Sequence, residues 1–205
     1  MVEQLRPTLV FCLEELSAKA FLETFLFRAF PSIEKVDVRF IVFEGKRDLD
    51  RKLERRLRFW QLPNSAFVVL RDQDSADCRI VKKKIVKSCS DAGKQSTLVR
   101  IACRELESWY LGDLRAVDNA LGTSSLSKLQ KKVMFRTPDS LGSPSRELDL
   151  ITKGKYQKVG GSREIGKHLT IAGGLNYSLS FQFFMSGVAE ILQTLIATGH
   201  PEIDT

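Results

Sequence analysis

Four short apolar runs, each followed by a segment of helical periodicity or by an acidic turn, constrain this chain more than any other feature. They are Thr8 to Leu13, Val36 to Phe43, Ala66 to Leu70 and Leu98 to Ala102. Most are apolar along their length rather than at alternate positions, which marks strands buried on both faces, as in a parallel sheet covered by helices. The intervening segments supply the helices. Ala20, Phe21, Phe25 and Ala29 recur at helical spacing between Ser17 and Pro31, and Leu49, Leu53, Leu57 and Trp60 do so from Asp48. Asp77 to Ser90 forms a third helix, closed by Gly93. The order β-α-β-α-β-α-β predicts a Rossmann-like α/β core with a mainly parallel four-stranded sheet. Its crossovers are right-handed, and its ligand site lies at the carboxyl ends of the strands.

Residues 1–113 hold this core. From 114 to 205 the pattern loosens into short helical pieces broken at Thr123 to Ser127, Pro138 to Ser145, Gly160-Gly161 and Gly173-Gly174. A last helix runs from Ser178 to Ala197, and the tail after Gly199 is expected to fray. The expectation is a mostly helical C-terminal extension packed on the core, either within the same domain or beside it. A length of 205 residues allows one domain or a core with an elaboration, and 43% hydrophobic against 28% charged residues excludes a chain disordered throughout.

Several function classes fall away on composition. The opening Met-Val-Glu-Gln-Leu-Arg-Pro has no signal-peptide pattern, and no uninterrupted apolar run reaches the ~18 residues of a spanning helix. A cytoplasmic protein with no membrane association is expected. Cys12, Cys78, Cys89 and Cys103 form no C-x-x-C pair, and His168 and His200 lie far from them, so neither a zinc site nor a disulfide framework is supported. No G-x-S-x-G offers His168 a nucleophile. Ala92 to Thr97, AGKQST, lacks the first glycine of a phosphate-binding loop and has Gln where Ser or Thr must meet Mg²⁺.

Acidic residues gather instead just past the strand ends: Glu14 and Glu15 after the first, Asp72 and Asp74 after the third, Glu105 and Glu107 after the fourth. Parallel strands bring these ends together. In an extended segment residues i and i+2 point the same way ~7 Å apart, so Asp72 and Asp74 are expected to face one small volume. Carboxylates held close repel unless a cation lies between them, and an oxygen-only set suits Mg²⁺ or Mn²⁺. The chemistry this implies is metal-assisted phosphoryl transfer. The opposing interpretation is that Asp72, Asp74 and Ser75 cap the third helix and that Glu105 and Glu107 sit in a first helical turn.

Glu after the first strand with Asp-x-Asp after the third resembles the pattern of Toprim domains, found in topoisomerases, primases, overcoming-lysogenisation-defect (OLD) nucleases and small ribosomal-RNA maturases. More closely, FCLEELSAKAFLETFL, FEGKRDLDRKL, VVLRDQDSADC and RIACRELESWYLGD resemble the bacterial DUF4276 family, assigned to the Toprim-like group. The resemblance implies a Toprim-like fold in which Glu14 is the Toprim glutamate and Asp72 and Asp74 bind metal; Glu15 stands where many Toprim proteins have glycine. It further implies an Mg²⁺- or Mn²⁺-dependent nuclease with Glu14, Asp72 and Asp74 as catalytic groups and Glu105 or Glu107 supporting a second ion. Related nucleases often act with ATPases of the ABC or OLD type in phage defence, so the implied partner is such an ATPase encoded next door. The alternative is a catalytically idle Toprim-like regulatory or nucleic-acid-binding subunit. The oligomeric state, homo-oligomer included, is open. A rival register takes Glu44 of FEGKRD as the glutamate, but it leaves no strand and helix between that motif and Asp-x-Asp.

Thirty-two Lys and Arg against 25 Asp and Glu give a net charge of +7 and a pI near 9.3, which favours polyanionic partners such as DNA or RNA. The basic segments are Lys46 to Arg58, Arg79 to Lys87, Lys128 to Lys132 and Lys153 to Lys167. Within them Lys46, Arg79, Lys82, Lys83, Lys84, Lys158, Arg163 and Lys167 are the expected nucleic-acid contacts, with Tyr156 a further phosphate clamp. Trp109, at helical spacing from Leu106 and Tyr110, reads as packing.

Overall fold

β1 (Thr8–Leu13), β2 (Asp37–Val42), β3 (Ser65–Asp72) and β4 (Leu98–Ala102) pair only in parallel, in the order β2-β1-β3-β4. The computed structural model describes residues 6–199, so the tail expected to fray lies outside the described residues. Both faces of the sheet are covered, as the apolar runs require. Leu9, Phe11, Leu13, Val68 and Leu70 face one hydrophobic cluster, and Val10, Cys12, Phe67 and Val69 face the other.

The second layer holds α2 (Lys46–Arg58) and α3 (Cys78–Asp91), which bury Leu49, Leu53, Leu57, Val81 and Ile85 and turn their charged faces outward. The first layer holds α1 (Leu16–Ala29) and all of the C-terminal half: α4 (Glu107–Leu111), α5 (Leu114–Leu121), α6 (Val133–Arg136), α7 (Pro144–Thr152), α8 (Lys158–His168) and α9 (Leu179–Gly199). Their apolar residues join one cluster with the sheet. Trp109, fully buried as its spacing predicts, packs edge-on or tilted against Phe21, Phe181 and Phe184 and donates from Nε1 to Ser180 Oγ at 2.9 Å. Burying each such side chain stabilises the fold by roughly 1.5–3 kcal/mol.

Several boundaries shift by one or two residues from the sequence reading, and two of the shifts have clear local reasons. α2 begins two residues before Asp48, because Gly45 turns the chain at φ 91° and the Asp48 carboxylate reaches back to accept the Glu44 N–H at 3.3 Å. β3 runs on to Asp72 rather than ending at Leu70, because β4 continues to pair with it through Arg71↔Ile101 and Asp72↔Ala102.

α1 and α8 cross at Gly166, where an added Cβ would meet the Phe21 carbonyl at 2.7 Å and the Thr24 hydroxyl. Gly166→Ala should therefore force the helices apart and destabilise the protein by about 1–3 kcal/mol in a denaturant melt. α9 is long and apolar enough to span a membrane on length and composition, with a mean hydropathy of 1.3 over Leu179–Thr198, a point missed by counting uninterrupted runs. It packs one face, Phe181, Phe184, Val188 and Leu192, into the core beside β4.

Candidate metal centre

β1 has β2 on one side and β3 on the other, so the crossover from β1 to β2 runs one way along the sheet and the next, from β2 to β3, runs back the other way. The strand ends diverge at this switch point, where open α/β sheets hold their ligands. Glu14 follows β1 there and Asp72 closes β3, side by side because Leu13 pairs with Leu70. The Asp72 N–H donates to Glu14 Oε2 at 3.2 Å.

Strand alternation decides what each side chain then meets. Asp72 shares the face of Val68 and Leu70, toward α4 and α8, while Arg71 turns the other way, 6% exposed, with Nε 3.3 Å from Asp50 Oδ1. On the Asp72 side lies Glu107, 1% exposed at the start of α4, accepting a hydrogen bond on Oε1 from the Tyr156 hydroxyl at 2.8 Å. Tyr156 Oη also meets Ser162 Oγ at 3.1 Å. Glu15 forms the rim, accepting from Lys158 Nζ at 2.8 Å and Ser17 Oγ at 2.7 Å. Its backbone is extended (φ −153°, ψ 170°), so the turn into α1 does not need the glycine common at this position.

The carboxylates are in an unfavourable state for charge. Burial pushes Asp72 well above the usual carboxylate range, Glu107, Glu14 and Glu15 push it further by repulsion, and Lys158 opposes them. Burial likewise raises Glu14, against the pull of Arg71 and of the Asp72 N–H. It raises Glu107 too, against the Tyr156 hydrogen bond. Beside them the Tyr110 hydroxyl is fully buried and has no hydrogen-bond partner within reach among the described residues, its own ionisation suppressed by burial and then by Glu107.

These features fit a hard divalent cation in donor type and in charge. Glu14, Asp72 and Glu107 are oxygen donors whose mutual repulsion a cation would remove, and a water on that cation would give Tyr110 a partner. The geometry is less complete than the chemistry. Among the described residues, no three Asp, Glu, His or Cys side chains converge as a ready ligand set.

Asp74 and Glu105 have other partners, although by repulsion Asp74 raises Glu14 and Glu105 raises Glu107. Asp74 adopts a left-handed φ of 57°, held by its N–H donating to the Arg104 carbonyl at 2.8 Å, so the chain is not extended there and Asp74 does not share Asp72's volume. Its carboxylate pairs with Lys46 Nζ at 2.9 Å. Arg104, opposite, is also left-handed at φ 64°. Two such non-glycine residues flanking the cluster are strained backbone of the kind that gathers at functional sites. Glu105 Oε2 accepts the Ser145 N–H at 2.7 Å and so caps α7, whose own Ser143 makes no side-chain cap. Glu105→Ala should cost about 0.5–2 kcal/mol of stability in thermal melts and leave any metal-induced shift unchanged. The helix-capping alternative fails for Asp72 and Asp74, because Asp77 caps α3 by accepting from Arg79 N at 2.7 Å and Ile80 N at 3.4 Å.

The expected nucleic-acid residues divide between the layers. Arg79, Lys82, Lys83 and Lys84 are exposed on α3, Lys84 paired with Asp50 at 2.9 Å. Lys158, Arg163 and Lys167 are exposed on α8, on the opposite side of the sheet, Lys167 paired with Glu164 at 2.7 Å. Only Lys158 reaches the acidic cluster. Tyr156 is 7% exposed and bonded to Glu107, so it supports that carboxylate and does not clamp phosphate. Glu44 is exposed past the edge strand β2, on the wall of the hollow that Glu15 and Lys158 also line. Sequence reasoning passed over Tyr110 and Ser162 as site residues; their only signal was polar atoms inside otherwise apolar helical faces.

The fold and the site together define a parallel α/β protein with an acidic cluster at the switch point of its sheet. A family model described as "Domain of unknown function (DUF4276)" matches residues 13–189, and the chain belongs to this family. No curated protein and no solved structure matches it.

Proposed function

We propose that the protein is a Toprim-like, Mg²⁺- or Mn²⁺-dependent nuclease, with Glu14, Asp72 and Glu107 as the groups that hold the cation. The observation that carries this reading is the gathering of one buried and two half-buried carboxylates at the switch point, where burial and the repulsion of Asp72 by Glu14 and Glu107 outweigh the pull of Arg71 on Glu14 and of Lys158 on Asp72 and Glu107. When bound, the metal would stabilise the charge that develops on a phosphodiester under attack. Asp72 and Glu107 fix the site, Tyr156 orients Glu107 through Oε1, and Lys158, tethered by Glu15, sets a positive group at the rim for a phosphate oxygen. Glu14, with its raised pKa and partial exposure, is suited to accept a proton from an attacking water.

In the family resemblance such nucleases serve bacterial phage defence beside an ABC- or OLD-type ATPase, and we carry that role over as part of the proposal. A cytoplasmic location accords with the four free cysteines. The second reading, an idle regulatory subunit of such an ATPase, is favoured by Asp74 being neutralised by Lys46 and by the absence of three converging ligands among the described residues. Incubation with Mn²⁺ and labelled plasmid, single strands and tRNA, alone and with the adjacent ATPase, separates the two. Metal-dependent cleavage supports the nuclease, and its absence throughout supports the idle subunit.

A further inference from the structure

We infer that the outer face of α2 and the hollow at its C-terminal end form a docking surface for single-stranded nucleic acid, with Phe59 as a platform for an unpaired base. This deepens the proposed function by naming the state of the substrate strand, and it rests on the reading that the substrate is a polynucleotide.

α2 carries seven cations against three carboxylates. Its ion pairs engage Lys46, Arg51, Lys52 and Arg58. Arg47, Arg55 and Arg56 are exposed and make no ion pair among the described residues. Arg47, Arg51 and Arg55 are spaced four apart, so they form one stripe along the helix. That stripe starts beside Lys46, whose partner Asp74 borders the acidic cluster, and runs about 18 Å to the helix end at ~1.5 Å per residue.

At that end Ile41, Lys52, Arg55, Arg56, Phe59 and Trp60 wall a hollow of about 590 Å³, within the roughly 300–1,000 Å³ range of small-ligand clefts. Trp60 is held, edge-on to Phe67 at 5.8 Å and donating from Nε1 to Ser65 Oγ at 2.9 Å. Phe59 is 65% exposed although its backbone is fixed by hydrogen bonding to the Arg55 carbonyl at 3.1 Å. The open Phe59 ring thus shares one hollow with Arg55 and Arg56, which make no ion pair among the described residues. This arrangement matches the pairing of stacking platform and phosphate-tracking cations by which proteins bind single strands, whose bases are free to stack. Charge complementarity selects the polyanion and the exposed ring selects its single-stranded form.

The test is binding by fluorescence anisotropy in EDTA, with oligothymidylate, a matched duplex and polyglutamate as probes, across a salt series. Because no metal or cleavage is involved, loss of cleavage with binding intact removes the nuclease reading and leaves this surface supported. Oligothymidylate should bind more tightly than the duplex. Phe59→Ala should weaken single-strand binding about tenfold without changing the salt slope, and Phe59→Trp should retain it. Arg55→Ala with Arg56→Ala should flatten the slope by about 0.7 for each phosphate that is no longer neutralised. Phe59 is exposed, so these variants should melt with the wild type. An unaffected Phe59→Ala, an equal loss on duplex, or polyglutamate bound as tightly as the oligonucleotide would overturn the proposal.

Discussion

At pH 8 and without divalent metal, Asp72→Asn should melt at a higher temperature than the wild type, and at pH 4 the difference should vanish. Asp72 has a folded-state pKa raised well above its unfolded value, by burial first and then by Glu107, Glu14 and Glu15. The folded chain thus binds this proton more tightly than the unfolded chain, and stability is lost as pH rises from the unfolded pKa, about 3.9, through the folded one. Asn keeps the shape and removes the charge that causes the loss. Relief of a poorly compensated charge is worth on the order of 1–2 kcal/mol, or roughly 2–4 °C per kcal/mol in a chain of this size. Millimolar Mg²⁺ should raise the wild-type midpoint at pH 8 and leave Asp72→Asn nearly unmoved, because the metal binds the folded state only through the gathered carboxylates. Melting curves over pH 4 to 8 with and without Mg²⁺ measure both effects. If Asp72→Asn is less stable at pH 8, Asp72 is a structural hydrogen-bonding group and the account of an unsatisfied cluster is wrong.

The parallel core was legible because burial on both faces leaves a direct mark: TLVFCL has no polar position to mislead beyond its first residue, and it is buried at every residue. Topology then followed from the alternation with helices. What the sequence did not disclose was where strand pairing stops, since β3 extends through Arg71 and Asp72 on the strength of hydrogen bonds to β4, and such bonds depend on a neighbour distant in sequence. The same neighbour explains why Asp74 failed as a partner of Asp72. A period-two argument assumes extended backbone, and the Asp74 N–H instead follows the Arg104 carbonyl into a left-handed turn.

Of the site, the pair Glu14 and Asp72 was legible from position alone, as residues just beyond adjacent parallel strands. Glu107 was separable from Glu105 only in three dimensions. Two residues apart, they point differently on entering α4, one into the buried cluster and the other to the first turn of α7. Likewise the eight expected nucleic-acid residues share a charge but not a surface, because α3 and α8 cover opposite faces of the sheet, and periodicity within one helix carries no information about its layer. Tyr156 shows the converse: a tyrosine in a glycine-rich stretch looks exposed in sequence, yet Gly161 leaves room for its ring to pack inward, where its hydroxyl meets Glu107.

The variants that separate ligand from bystander should differ in cleavage by orders of magnitude. If Glu14, Asp72 and Glu107 hold the cation, then Asp72→Asn, Glu14→Gln and Glu107→Gln should each lower Mn²⁺-dependent cleavage by a factor of about 10² or more, the scale at which single groups that stabilise transition-state charge act. Tyr156→Phe removes the hydrogen bond that orients Glu107 and the contact with Ser162 but no carboxylate, so it should cost less, and Glu107 should then respond to pH closer to neutrality because that bond favours its ionised form. Asp74→Asn should cost little, since its carboxylate is already committed to Lys46, and Glu105→Gln should act on stability through α7 alone. Glu44→Gln, exposed beyond the edge strand, should be silent. Initial rates on a labelled substrate across a Mn²⁺ titration distinguish a lost ligand, whose rate recovers partly at high metal, from a lost proton acceptor, whose rate does not. Inactivation by Asp74→Asn with Glu107→Gln fully active would restore the Asp-x-Asp pair as the ligands and remove Glu107 from the site. Inactivation by Glu44→Gln with Glu14→Gln active would move the centre to the carboxyl end of β2, where the structure gathers no comparable cluster of raised carboxylates among the described residues.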